Sequence, residues 1–162
     1  MPHSAAAVNA SPLVFLSNAG LLEFLRLAGS PVTVPAAVVK EITQRGESDP
    51  TVRALKQAAW IEIVEAPAVP ASIQAWDLGP GEESVLACAY AKPGTVAVLD
   101  DLAARRCAET LKIPVNGTLG LVLIARRRGL IPAARPVLDA LLQSGMYLSD
   151  QVLKRALSLV GE

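Results

Sequence analysis

The chain has 162 residues, 52% of them hydrophobic, and a formal net charge of zero. This length is typical of one domain with a full core, so we predict a single domain over residues 1–162. No apolar stretch approaches the roughly 20 residues of a membrane span, and the N-terminus lacks the cationic segment of a signal peptide. With only two, isolated cysteines, these features predict a cytoplasmic protein with reduced thiols and no membrane anchor.

Strands and helices are predicted to alternate along the chain. Apolar runs rich in alanine or β-branched residues predict strands at 5–8, 32–34, 61–64, 95–99 and a brief one ending at 115. Capped or amphipathic segments predict helices at 13–16, 21–28, 35–44, 49–58, 81–91, 101–111, 118–128, 133–144 and 149–160. Ser11 is predicted to cap the first helix and Thr118 a later one. The alternation predicts a three-layer α/β/α fold, with a five-stranded, mostly parallel sheet flanked by helices.

Two adjacent aspartates, Asp100 and Asp101, follow the fourth predicted strand. Open α/β sheets bind ligands at the carboxyl ends of their strands, so these carboxylates are candidate ligands. They repel each other unless a cation or solvent relieves the repulsion. The alternative is that one aspartate caps the following helix while the other is solvated. The residues alone leave both interpretations open.

Further oxygen-bearing side chains are predicted at the same edge. Asn9 ends the first strand, and Glu41 borders the apolar face of its helix. Glu82 shares the apolar side of its helix and is the candidate for a pocket, whereas Glu83 points elsewhere. The alternative for both glutamates is stabilisation of the helix N-terminus. Converging carboxylates would form an oxygen-only site for Mg²⁺ or a similar hard cation, which suits phosphodiester hydrolysis.

Charge is distributed unevenly along the chain. Residues 1–100 carry a net charge of −4 and residues 101–162 a net charge of +4. The second part contains the consecutive residues Arg126, Arg127 and Arg128, which are candidates for contacts with RNA phosphates. The alternative is a solvated helix end, where arginines also complement the helix dipole.

Several segments, in order along nearly the whole chain, resemble the PIN domain, and more closely a PIN-like family of predicted nucleic-acid-binding proteins related to toxin nucleases. The segments are Val8–Leu13, Val34–Glu41, Leu78–Ser84, Leu99–Arg105, Pro114–Gly120, Arg128–Pro132 and Pro136–Asp139. The resemblance implies a ribonuclease that depends on Mg²⁺ or Mn²⁺. It also implies an RNA substrate, and many PIN proteins are toxins paired with an antitoxin, often as homodimers. The apolar final helices are candidates for either interface.

The resemblance assigns roles to particular positions. The acidic positions of the family correspond to Asn9, Glu41, Glu82 and the pair Asp100 and Asp101. Asp101 matches the family position best, which makes Asp100 its support. Ser11 and Thr118 would orient water or a phosphate.

Asn9 departs from the family pattern, because active PIN nucleases usually have aspartate at this position. An amide offers an oxygen ligand but no charge, so attraction for Mg²⁺ is weaker. Two hypotheses follow: a metal-dependent ribonuclease, or a catalytically weakened PIN-like module that binds RNA or protein. A phosphoacceptor receiver domain is disfavoured, because no acidic pair follows the first strand.

Overall fold

The computed structural model describes residues 4–162, and a five-stranded sheet lies at its centre. The strands are β1 Ala6–Val8, β2 Val32–Pro35, β3 Ile61–Val64, β4 Val96–Val98 and β5 Val115–Asn116. All neighbouring strands are parallel, in the order β3-β2-β1-β4-β5. Helices flank this sheet, so the predicted α/β/α fold is confirmed, with a wholly parallel sheet.

Helices connect the strands and form the C-terminal part of the chain. Within the described residues they are α1 Ala10–Asn18, α2 Ala36–Thr43, α3 Pro50–Gln57, α4 Ala71–Gln74, α5 Pro80–Ala91, α6 Leu102–Thr110, α7 Thr118–Arg127, α8 Arg135–Gln143 and α9 Asp150–Leu159. The helix predicted at 21–28 is a shorter 3₁₀ helix, Leu22–Leu27. Among residues 4–162, no helix combines the length and apolarity that crossing a membrane requires.

The central strand β1 is completely buried. Ala6, Ala7 and Val8 each have 0% of their surface exposed. A strand with neighbours on both sides and helices on both faces excludes polar side chains, which explains its continuous apolar sequence. The first polar side chain after it, Asn9, therefore marks the edge of the sheet.

The chain reverses its direction of crossover at β1. It passes from β1 to β2 and β3 on one side, and then returns to β4 and β5 on the other. In open α/β sheets, ligands bind beside the carboxyl ends of the strands that flank such a reversal. Asn9 follows β1, and Asp100 lies two residues after the end of β4, so both lie at this point.

Two predicted helix starts are wrong. α1 begins at Ala10 with Asn9 as its N-cap residue, so Ser11 lies inside the helix. The backbone of Asn9 is extended (φ −86°, ψ 173°), and the strand therefore passes into the helix without a loop. α7 begins at Thr118, and its N-cap residue is Gly117. The hydroxyl of Thr118 is instead bound to Asp100.

Candidate functional site

Asn9 supplies a buried oxygen atom at the reversal point of the sheet. Its backbone N–H donates to the carbonyl of Val98 at 3.1 Å, which ties the residue to β4. Its side chain forms no cap hydrogen bond with α1, and Oδ1 has no hydrogen-bond partner among residues 4–162. Because a buried acceptor without a donor is costly, this atom indicates a place where a ligand would be stabilised.

Glu41, which is exposed, and Asn9 both border the space beside Gly81. A side-chain carbon at Gly81 would lie 2.9 Å from Oδ1 of Asn9 and 3.1 Å from Oε2 of Glu41. Both oxygens therefore border one small space against the first turn of α5. The helix N-terminus adds a partial positive charge there. A methyl group at this position would occupy that space unless the ends of the Asn9 and Glu41 side chains moved.

Glu82 is the next residue of α5 and is half-buried. Its Oε2 lies 2.7 Å from the position that a side-chain carbon would take at Gly79, the N-cap residue of the helix. The carboxylate is therefore turned back towards the start of α5, where it complements the helix dipole. Glu83 occupies the same first turn and is also half-buried.

Asp100 is bound to the start of α7. Its Oδ1 accepts a hydrogen bond from the backbone N–H of Thr118 at 2.7 Å, and its Oδ2 accepts one from the Thr118 hydroxyl at 2.7 Å. Thr118 is fully buried. The pair therefore fixes the N-terminus of α7 to the carboxyl edge of β4, an arrangement that the sequence analysis did not foresee.

Asp101 is the N-cap residue of α6. Its Oδ2 accepts a hydrogen bond from the backbone N–H of Ala104 at 2.9 Å, and the residue is exposed. The capping interpretation therefore describes one of its oxygens, while its role as a ligand remains a prediction.

Arg105 brings a positive charge to the same edge. Its Nη1 donates to the carbonyl of Leu99 at 3.1 Å and lies against Gly117. Oδ1 of Asp100 would lie 3.1 Å from a side-chain carbon at Gly117, so the guanidinium and the carboxylate face the same glycine. Arg105 was not among the site residues predicted from the sequence. Its position four residues after Asp101, one helical turn further on, was the available signal.

Ser11 and Glu41 line a small pocket of about 180 Å³ between α1 and α2. Arg45 lies in its wall, and its Nε binds Oδ2 of Asp49 at 3.0 Å. Ser11 is exposed. Its hydroxyl is therefore accessible to a molecule that contacts Glu41, as the sequence prediction for Ser11 requires.

The three arginines lie far from this edge. Thr118 begins α7, whereas Arg126 and Arg127 end it, and a helix of that length is about 15 Å long. Nε of Arg126 contacts Oε2 of Glu162 at 3.4 Å, while Arg127 and Arg128 are exposed. Any RNA contact of Arg127 and Arg128 would therefore be outside the immediate surroundings of Asn9 and Glu41.

Within residues 4–162, no three Asp, Glu, His or Cys side chains are grouped as a metal site would require. The structure brings together the oxygens of Asn9 and Glu41, and holds Asp100 and Asp101 in separate hydrogen bonds. An unpartnered amide oxygen beside a carboxylate fits a hard divalent cation that retains several waters. These two residues are therefore compatible with Mg²⁺ or Mn²⁺.

A wholly parallel sheet with polar side chains at its reversal point defines an open α/β protein, a class that generally binds ligands at the carboxyl edge of the sheet. The family described as the PIN domain matches residues 5–162. The chain belongs to this family, whose fold is of the nuclease type and whose members generally use divalent metals. No curated protein shows significant similarity to the chain.

Proposed function

We propose that this protein is a PIN-type endoribonuclease that depends on Mg²⁺ or Mn²⁺. The observation that carries the proposal is the buried, unpartnered Oδ1 of Asn9 beside Oε2 of Glu41, at the reversal point of a PIN-type sheet. A divalent cation bound there would supply Lewis-acid activation of the scissile phosphate. Asn9 and Glu41 would hold the cation.

The remaining residues act around that pair. Glu82 and Asp101 add negative charge at the carboxyl edge, where Glu82 is half-buried and Asp101 is exposed. Asp100 acts as a positioning residue, because its two hydrogen bonds hold Thr118 and the start of α7. Arg105, half-buried at this edge, is suited to contact a phosphate oxygen of the RNA.

Cleavage of single-stranded RNA in Mn²⁺ tests this function. We expect cleavage by the native chain that EDTA abolishes, and a loss of at least about a hundredfold in Glu41→Gln, in keeping with the usual weight of one catalytic group. Glu47→Gln changes the same side chain at an exposed position beyond α2 and serves as the matched control. Cleavage that persists equally in Glu41→Gln would contradict the proposal.

A catalytically weakened module is the second candidate function. It is favoured by the neutral Asn9 and by the hydrogen bonds that occupy both aspartates. This candidate predicts that the purified chain binds RNA without cutting it in Mn²⁺. It also predicts that the charge added by Asn9→Asp creates metal binding where the native chain has none.

We further infer that the protein acts inside the cell as the toxin of a toxin–antitoxin pair and forms homodimers. Exposed apolar side chains in the C-terminal part support a protein interface: Leu130, Tyr147, Val152 and Leu159. Expression of the native chain in a test host is expected to arrest growth, whereas Glu41→Gln is expected to be tolerated. Light scattering would measure the dimer, and a monomer at all concentrations would contradict it.

A further inference from the structure

A second hollow, with a mixed polar and apolar lining, lies between the sheet and the C-terminal end of α5. It has a volume of about 250 Å³. Ala5, Thr33 and Thr95 contribute to its lining from the sheet side, while Cys88 and Lys92 contribute from α5 and its end. Ala5 and Thr95 directly precede β1 and β4, at the opposite edge of the sheet from Asn9.

Thr95 indicates that the hollow accommodates a polar ligand. The residue is 4% exposed, and its Oγ1 has no hydrogen-bond partner among residues 4–162. Thr33, in the same lining, has its hydroxyl satisfied, because it donates to the carbonyl of Ala6 at 2.9 Å. A buried hydroxyl without a partner is destabilising, and a ligand that accepts its hydrogen bond would remove that cost.

Two opposite charges line the hollow without pairing. Lys92 and Glu62 both belong to the lining, yet the ion pairs among the described residues join other side chains. Lys92 is close to Thr95, whose backbone N–H donates to the Lys92 carbonyl at 3.1 Å. Glu62 is in β3, three strands from β4, which corresponds to about 14 Å across the sheet.

We propose that this hollow binds a small zwitterion with a short aliphatic chain. Its carboxylate would accept hydrogen bonds from Thr95 and Lys92, and its ammonium group would face Glu62. Both charged side chains are exposed, and a zwitterion is complementary to a positive group on one side of the hollow and a negative group on the other. The chain between the charges would lie against Val64 and Pro31, which are apolar members of the lining. The volume corresponds to about eight water molecules of liquid, which suits a ligand of the size of 6-aminohexanoate.

Binding of three matched probes to the full chain tests this proposal. The probes are 6-aminohexanoate, hexanoate and hexylamine, which carry both charges, the negative charge or the positive charge. In calorimetric titrations with each probe at up to about 10 mM, we expect the affinity for 6-aminohexanoate to be at least about tenfold higher than for either other probe. The thiol of Cys88 supplies a second readout, because it is partly exposed whereas Cys107 is fully buried. Bound 6-aminohexanoate should slow maleimide labelling of Cys88.

Three variants identify the contacts. Lys92→Met and Glu62→Gln should each weaken 6-aminohexanoate binding by about tenfold, as should Thr95→Val, which keeps the shape of the side chain. Lys56→Met and Glu65→Gln make the same changes at exposed positions outside the lining and should bind as the native chain does. If Thr95→Val does not fold, the comparison of Lys92→Met and Glu62→Gln with their controls tests the proposal. The proposal would be overturned if hexanoate bound as tightly as 6-aminohexanoate, or if 6-aminohexanoate did not slow the labelling of Cys88. It would also be overturned if Lys92→Met and Glu62→Gln bound 6-aminohexanoate as well as their control variants do.

Discussion

A buried acceptor without a donor costs a protein about 1–3 kcal/mol, and Oδ1 of Asn9 is such an atom among residues 4–162. Asn9→Asp adds a negative charge beside Glu41. Without a cation the two carboxylates repel, so we expect a loss of about 1–2 kcal/mol in the free energy of unfolding. With Mn²⁺ the same charges attract the ion, so its affinity should rise at least about tenfold. Calorimetric titration with Mn²⁺ measures the gain, and an unchanged affinity would show that Asn9 is not a ligand.

Gly81 lies close to the side-chain oxygens of Asn9 and Glu41. In Gly81→Ala the new carbon would lie 2.9 Å from Oδ1 of Asn9 and 3.1 Å from Oε2 of Glu41, so these side-chain ends or α5 must shift. We expect a loss of about 1–3 kcal/mol in the free energy of unfolding and weaker Mn²⁺ binding. Gly120→Ala is the matched control, because its new carbon meets nothing closer than 3.7 Å. That helical position should gain about 0.5–1 kcal/mol, and denaturant unfolding of both variants measures the contrast. Equal effects would argue against a crowded site at Gly81.

The extent to which sequence could predict the site differs between its residues. Asn9 and Asp100 each follow an apolar strand, and Glu41 borders an apolar helix face, so periodicity alone places them at one edge. The pairing of Asp100 with Thr118 could not be predicted in this way. It depends on how the start of α7 approaches β4 across 18 residues, and packing sets that approach. The inward placement of Arg105 depends equally on the closeness of Gly117.

At the scale of elements, the contact between Asp100 and Thr118 joins β4 to α7. Thr118→Val removes the hydroxyl donor and leaves Oδ2 of Asp100 with one hydrogen bond fewer in a partly buried place. We expect a loss of about 1–3 kcal/mol in the free energy of unfolding. Thr110→Val removes an exposed hydroxyl bond to the carbonyl of Arg106 and should cost well under that amount. Urea denaturation of the two variants makes the comparison, and similar losses would contradict a joining role for Thr118.

The start of α8 depends on Glu162. Its Oε2 accepts a hydrogen bond from the backbone N–H of Ala134 at 2.7 Å, and its Oε1 accepts one from the backbone N–H of Arg135 at 3.2 Å. The Ala134 hydrogen bond lowers the pKa of the Glu162 carboxyl from its ordinary 4.5, and the contacts with Arg135 and Arg126 add to this. A depressed pKa in the folded state means that the stabilisation is complete above the unfolded value and is lost as the pH falls through the folded value.

Glu162→Gln tests this pH dependence. The variant should melt below the native chain at pH 7, because the amide is a weaker acceptor and carries no charge for Arg126. Below the folded pKa of Glu162 the two melting temperatures should converge, since the native carboxyl is then protonated. Melting curves from pH 7 to about pH 3 make the comparison. A difference that stays constant over this range would show that ionisation of Glu162 does not contribute.

Across the whole molecule, the order of strands and helices was predictable, because the spacing of apolar residues within each segment distinguishes a strand from a helix. The lengths of the helices were less predictable. The segment predicted as helix at 21–28 forms a six-residue 3₁₀ helix. Gly20, with φ of 70°, ends the preceding turn, and β2 begins at Val32, so the segment is bounded on both sides. Such limits come from the chain on both sides of a segment, which local composition does not describe.

The net charge differs between two parts of the chain: it is −4 over residues 1–100 and +4 over residues 101–162. RNA phosphates should therefore contact the C-terminal half, where Arg127 and Arg128 are exposed and Arg126 is held by Glu162. Each phosphate contact adds about 0.7 to the slope of log affinity against log salt for a single strand. Replacing both exposed arginines by glutamine should lower that slope by about 1.4.

Arg53→Gln with Lys56→Gln removes the same charge from the exposed face of α3 and should leave the slope unchanged, because these residues lie in the acidic half. Fluorescence anisotropy with a short labelled RNA, measured at several salt concentrations in EDTA, separates binding from cleavage. If the charge of the whole molecule alone set the affinity, both double variants would weaken binding equally, since each removes two positive charges. A change of slope confined to Arg127 and Arg128 would place the RNA backbone at the C-terminal end of α7. A strand that also contacts the start of α7 at Thr118 would then run along the roughly 15 Å length of that helix.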